Sequence, residues 1–209
     1  MNKAGAQGWS GRRRKGGAHA SASSFGALAL AVLLGAAPSM PPRVSAESNG
    51  TSEYDVKAAF LFHFAQFVEW PAETFKGEDS PLTYCTVGDD TFRGALDESV
   101  KGKRIRNRPL RVLHLKERES IEACQVLFIA ATAQKGRQTD QLADASGHPV
   151  LTVGELEHFA EEGGMIGFFL EEKKVRFEIN VGAAENARLK ISAKLLALAK
   201  TVLGSPKGD

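Results

Sequence analysis

The sequence predicts an α/β fold, a single-domain sandwich with a mostly parallel sheet, a C-terminal antiparallel hairpin and flanking helices. Three observations carry this expectation. Short apolar runs at Leu82–Val87, Val126–Ala130 and Val150–Gly154 read as strands, the later two buried on both faces. Helix-length polar stretches separate them, as βαβ units require. Near the C-terminus Met165–Leu170 and Val175–Val181 are divided only by Glu171–Lys174, which reads as a hairpin.

Residues 1–46 hold no acidic residue, and carry Lys3, Arg12, Arg13, Arg14, Lys15 and Arg43. An apolar run, Phe25–Ala37, and the small-residue ending Val44-Ser45-Ala46 complete the pattern of a secretory signal peptide. The run is too short to span a bilayer stably. Arg12–Arg14 raises the twin-arginine route, but Lys15-Gly16-Gly17 does not resemble its signal, so general secretion is expected. The expected organisation is a signal peptide over 1–46, a flexible tether over 47–53, an α/β domain over 54–204 and a disordered tail over 205–209. Six of the 27 basic residues leave with the leader, so 21 face 25 acidic ones. The basic balance of the full chain therefore gives no case for a nucleic-acid partner.

The first element of the domain is aromatic-rich. Over Tyr54–Pro71, helical spacing puts Val56, Phe60, Leu61, Phe64, Phe67 and Val68 on one face. Asp55, His63, Gln66 and Glu69 mark the opposite face, yet Phe62 and Trp70 project there too. The helix is expected to run to Trp70, where Pro71 ends it. Two large aromatics on a polar side need cover from a second layer or from a partner, so Phe62 and Trp70 are candidate partner-binding residues.

After the strand at Leu82–Val87, Gly88-Asp89-Asp90-Thr91 turns the chain into a helix over Phe92–Val100, capped by Asp89 or Asp90. The turn has no glycine-rich phosphate pattern, and its carboxylates would repel a phosphate. The basic cluster Lys101–Arg108 reads as the mouth of a strand with a solvated face. A strand over Pro109–Leu115, a polar helix over Ala133–Ala145 and a brief helix over Glu155–Ala160 follow. In the hairpin's second strand Val175, Phe177, Ile179 and Val181 alternate with Lys174, Arg176, Glu178 and Asn180, giving one packed and one wet face. Arg176 and Glu178 on the wet face are candidate polar contacts. A last helix over Ala184–Leu203 is expected to lie on the sheet.

The two cysteines, Cys85 and Cys124, form an even set, which in an exported chain favours a disulfide over two free buried thiols. Strands in the order 2-1-3 would bring them together. The four histidines beyond the leader show no metal-ligand spacing, and neither a serine-nucleophile elbow nor another catalytic motif occurs. No catalytic residue, metal site or cofactor is expected. A small-ligand site at the strand ends around Gly88-Asp89-Asp90 is the alternative, making the protein a periplasmic sensor acting with a histidine kinase or transporter.

Several stretches together resemble the YfiR-like family of exported bacterial proteins: Tyr54–Ala65 running to Val68-Glu69-Trp70-Pro71, Val87–Asp90, Pro149–Gly154, Gly163–Ile166, Val175–Asn180 and Leu189–Ser192. The resemblance also pairs Cys85 with Cys124. It departs from the family pattern at the Glu171–Lys174 turn, which lacks the usual glycine. It implies a periplasmic, non-enzymatic α/β domain, often a homodimer, that binds and represses an inner-membrane diguanylate cyclase through the cyclase's periplasmic part. It further implies an outer-membrane lipoprotein that sequesters the repressor.

Overall fold

The computed structural model describes residues 52–204 apart from 89, 117, 118 and 134. The chain divides into two units, 1–47 and 48–209, and every described residue lies in the second. The expected signal peptide, most of the tether and the tail over 205–209 lie outside the described residues.

In chain order the elements are α1 (Glu53–Phe67), β1 (Val68–Glu69), a 3-10 turn (Ala72–Thr74), β2 (Leu82–Val87), α2 (Asp90–Val100), β3 (Arg104–Ile105) and β4 (Arg108–His114). Then follow β5 (Val126–Ile129), α3 (Lys135–Ala145), β6 (Leu151–Gly154), β7 (Ile166–Glu171) and β8 (Lys174–Asn180). The chain closes with α4 (Val181–Asn186), β9 (Lys190–Ile191), α5 (Ala193–Leu196) and β10 (Thr201–Leu203).

Eight strands form one sheet in the order β10-β8-β7-β6-β5-β2-β4-β3. β4, β2, β5, β6 and β7 run parallel, whereas β8 returns antiparallel to β7 and carries β10 alongside it. β2 lies between β4 and β5, the neighbour relation that the cysteine argument needs. One sheet face packs on α1 and α2 through Leu61, Phe64, Phe92, Leu96, Phe128 and Phe177. The other face packs on α3 and holds the disulfide. The expected mixed α/β sandwich with a mostly parallel sheet and a C-terminal hairpin is thus the fold observed.

Three expectations are corrected. First, α1 stops at Phe67 and does not reach Trp70, because Val68–Glu69 leaves the helix to pair with Lys190–Ile191. Second, Ala184–Leu203 is not one helix. Arg188 adopts φ 59°, Ser192 caps a separate short α5, and Thr201–Leu203 hydrogen-bonds along β8. An open β8 edge offers a row of backbone partners that a continuous helix would leave unmet. Third, Glu155–Ala160 forms successive turns, with His158 at φ 62° breaking any helix.

The cause of the third correction is Phe159, which is fully buried. A Cβ on Gly154 would stand 2.3 Å from its ring, and one on Gly164 only 2.1 Å away. Two absent side chains make the slot, and the ring pins the acidic 155–164 loop into it.

Candidate functional site

At the N-terminus of α1, Ser52 Oγ accepts from the Asp55 N–H at 3.1 Å while the Asp55 carboxylate accepts from the Ser52 N–H, a reciprocal cap. That cap fixes the first turn over the carboxyl ends of β5 and β6. Positions 57, 61, 64, 65 and 68 make the buried stripe, so Lys57 faces inward with its side chain only 8% exposed. Its ammonium donates to Glu155 Oε1 at 2.6 Å and to Glu53. Glu155, itself 7% exposed, follows the last residue of β6, and its second oxygen accepts from the Ala131 N–H at 3.0 Å beyond β5. One ion pair therefore joins the first helix to two strand ends.

Around this pair lies an open cleft of about 620 Å³, lined by Glu53, Tyr54, Glu161, Phe168, Leu170 and Glu178 among others. Gly167 lets Glu178 fold close over β7, since a Cβ there would meet Glu178 Oε1 at 3.0 Å. His158 sits on the rim, with Nδ1 2.9 Å from Glu161 and Nε2 3.7 Å from Glu157. Burial lowers the Lys57 pKa, but the two carboxylates outweigh it and leave the value raised. Lys57 thus stays an ammonium, a cation that holds carboxylates, where a lysine nucleophile needs its pKa depressed. Carboxylates dominate the cleft, so it suits cationic or amine-bearing groups with an apolar body. Among the described residues, no group of three or more His, Cys, Asp or Glu side chains is placed to hold a metal ion.

At the strand end named by the alternative small-ligand reading, Gly88 is half-buried. Gly88, at φ 106°, packs so tightly that a Cβ would meet Ala130 Cβ at 2.9 Å and Thr132 Oγ1 at 3.0 Å. Asp89 lies outside the described residues. The cleft of about 620 Å³ lies towards β6 and β7.

The four candidate contact residues are not brought together. Phe62 is half-buried on α1, with Lys103 Nζ 4.5 Å from its ring centroid. Trp70 is half-buried beyond β1, and its Nε1–H donates to the Gln125 carbonyl at 3.3 Å. Both pack on the α1-side core. Arg176 and Glu178 point to the other sheet face, alternating with buried Phe177 and Ile179. Arg176 Nε lies 3.5 Å from Glu171, whose carboxyl the Lys200 hydrogen bond holds below its ordinary range, with Arg176 assisting. Sequence reasoning missed Lys57, Glu155 and Phe159. The available signal was a lone cation on the buried stripe of an aromatic helix, which demands a buried counter-charge.

Cys85 and Cys124 are bonded, with Cα atoms 5.7 Å apart, tying β2 to the turn before β5. The bond fits an oxidising compartment. No helix among the described residues is long and apolar enough to cross a membrane.

Fold and disulfide together define a disulfide-tied α/β domain with a mostly parallel sheet. The YfiR/HmsC-like family model matches residues 54–200, and the chain belongs to that family. Among solved structures, a conserved domain protein from Vibrio cholerae O1 biovar El Tor str. N16961 shares the fold at a TM-score of 0.52 and 12% identity. The match covers 72% of this chain and 60% of that one. No curated protein matches the sequence.

Proposed function

We propose that the protein is a periplasmic regulatory binding protein that represses a membrane-bound signalling enzyme, a diguanylate cyclase, by gripping its periplasmic part. Membership of the YfiR/HmsC-like family over 54–200 carries this reading. The Cys85–Cys124 bond and the leader-like first 46 residues support export. Phe62 and Trp70, with Arg176 and Glu178, are the proposed contact residues. Phe62 and Trp70 pack on the α1 side of the sheet and Arg176 and Glu178 alternate to the other, so in this reading contacts are made from both faces. One face serves the cyclase; the second serves a homodimer partner or the sequestering lipoprotein.

The test is a deletion strain, with the tagged protein used as bait in periplasmic extracts. Cyclic di-GMP should rise on deletion, and a membrane cyclase should be recovered with the bait. An unchanged level together with no recovered cyclase removes the reading. Phe62→Ala and Trp70→Ala variants that stay folded should lose repression.

A second reading, a periplasmic small-ligand sensor acting with a histidine kinase or transporter, is favoured by the roughly 620 Å³ cleft over the strand ends. Thermal-shift screening with amine-bearing aromatics tests it. The absence of any shift across that set argues against it.

A further inference from the structure

Charge is segregated along α1. Its N-terminal end opens on the carboxylate-rich cleft, and its C-terminal end meets a different surface. There a smaller cleft of about 440 Å³ is lined by Gln66, Phe67, Glu69, Arg106, Lys190 and Lys194. Arg106 stands on the β3–β4 hairpin turn, 51% exposed, with Glu69 Oε1 3.9 Å away. Lys190 lies on β9 directly opposite Glu69 in the ladder, and Lys194 on α5; both are exposed. Arg104, at the base of the same hairpin, is exposed too and is steadied by donating from Nε to the Asn107 carbonyl at 3.0 Å. Three separate elements thus bring four cations to one end, with Glu69 the carboxylate lining the cleft beside them.

Two further facts bear on what this end meets. The chain over 47–209 has more acidic than basic residues, 25 to 21, so these cations are a local concentration against the overall balance. Leu198 is 66% exposed and sits four residues after Lys194, where helical backbone persists through Ala197. Leu198 therefore lies on the turn that directly follows the element carrying Lys194. A basic cluster with an adjoining exposed aliphatic side chain is the make-up of an interfacial lipid anchor. The cations are spread over an open surface and do not converge in an enclosed cavity, so they match a plane of headgroups better than one small anion.

We propose that the Arg104, Arg106, Lys190 and Lys194 end of the domain docks on an anionic phospholipid surface, with Leu198 entering the headgroup layer. The remaining net-negative surface is repelled by the same membrane, so attraction at one end also sets the orientation. In that pose the α1 axis stands away from the bilayer and the carboxylate-rich cleft faces the aqueous side.

Flotation of the purified protein with protein-free vesicles tests this. Vesicles of phosphatidylglycerol in phosphatidylcholine should carry the protein at low salt, and phosphatidylcholine alone should not. Each of Arg106→Gln, Lys190→Gln and Lys194→Gln should weaken binding about fivefold, from roughly 1 kcal/mol per cation near an anionic surface. Leu198→Ser should weaken it at unchanged salt dependence. Binding that ignores lipid charge, or a triple Gln variant that floats like the parent, overturns the proposal. If the triple variant unfolds, loss of flotation of the parent at high salt is the required result, and its persistence is fatal. Inorganic phosphate matched in concentration should not compete; if it does, the end is a small-anion site. Capture of a poly-glutamate peptide without vesicle binding assigns the surface to an acidic protein segment instead. The vesicles contain no cyclase, so a failure here leaves the repressor reading standing, and the reverse holds.

Discussion

Lys57 is the residue whose chemistry is least replaceable. Its removal would leave Glu155 with one N–H partner and a carboxylate that is 7% exposed. Breaking one side of a buried pair costs about 3–5 kcal/mol. Lys57→Met should therefore lower the urea midpoint by that equivalent, and adding Glu155→Leu should recover much of it. The pH dependence has a definite sign. The folded pKa of Lys57 is raised above the ordinary 10.5, so its contribution is complete below that value and disappears as pH climbs through the folded one. Melting curves of parent and Lys57→Met should converge in strongly alkaline buffer and stay apart at neutral pH. At this scale the cysteine pair was legible, because an even count and neighbouring strands constrain it. Lys57 was not, because its buried partner Glu155 lies 98 positions away in sequence, and the nearby Glu53 alone reads as an ordinary surface i,i+4 pair.

Among the elements, the strands were legible and the C-terminal helix was not. Val126–Ile129 and Leu151–Gly154 announce themselves as runs of buried residues. The stretch from Ala184 to Leu203 has helix-forming composition throughout, yet β8 needs a neighbour, and tertiary pairing overrode propensity. The β7–β8 hairpin shows a local rule broken at a cost. Its two-residue loop, Glu172-Lys173, adopts φ 49° and 63°, a conformation that favours Asn-Gly. The missing glycine noted in the sequence is thus a real strain. Glu172→Asn with Lys173→Gly should raise the unfolding free energy by about 1 kcal/mol, read as a higher denaturant midpoint at constant slope. No gain would mean that the flanking Phe168–Phe177 register already holds the turn at no expense.

For the whole molecule, the disulfide is the main covalent restraint. It closes a separation of 39 residues between β2 and the turn that leads into β5. The chain-entropy relation gives about 4 kcal/mol for such a loop, a large share of the roughly 5–15 kcal/mol typical of a domain. Cys85→Ser with Cys124→Ser should lower thermal stability accordingly, and reductant should do the same to the parent while leaving the double variant unmoved. The layer arrangement followed from alternating runs, as βαβ logic dictates. The cleft did not, because it is assembled from α1, the ends of β5 and β6, and β7 and β8, places that no local pattern connects.

The aromatic packing of α1 also sets an order of events. Phe60 and Phe64 pack against Phe168 and Phe177, mostly tilted or edge-on, with ring centroids 4.9–6.1 Å apart. Those partners emerge roughly a hundred residues later, and contacts of such separation close slowly. This aromatic helix is thus the first of the described elements to be made and among the last to be covered. During that interval it is a target for chaperones and a nucleus for aggregation. Release of the finished hairpin, and not completion of the helix, is the event that ends the exposure.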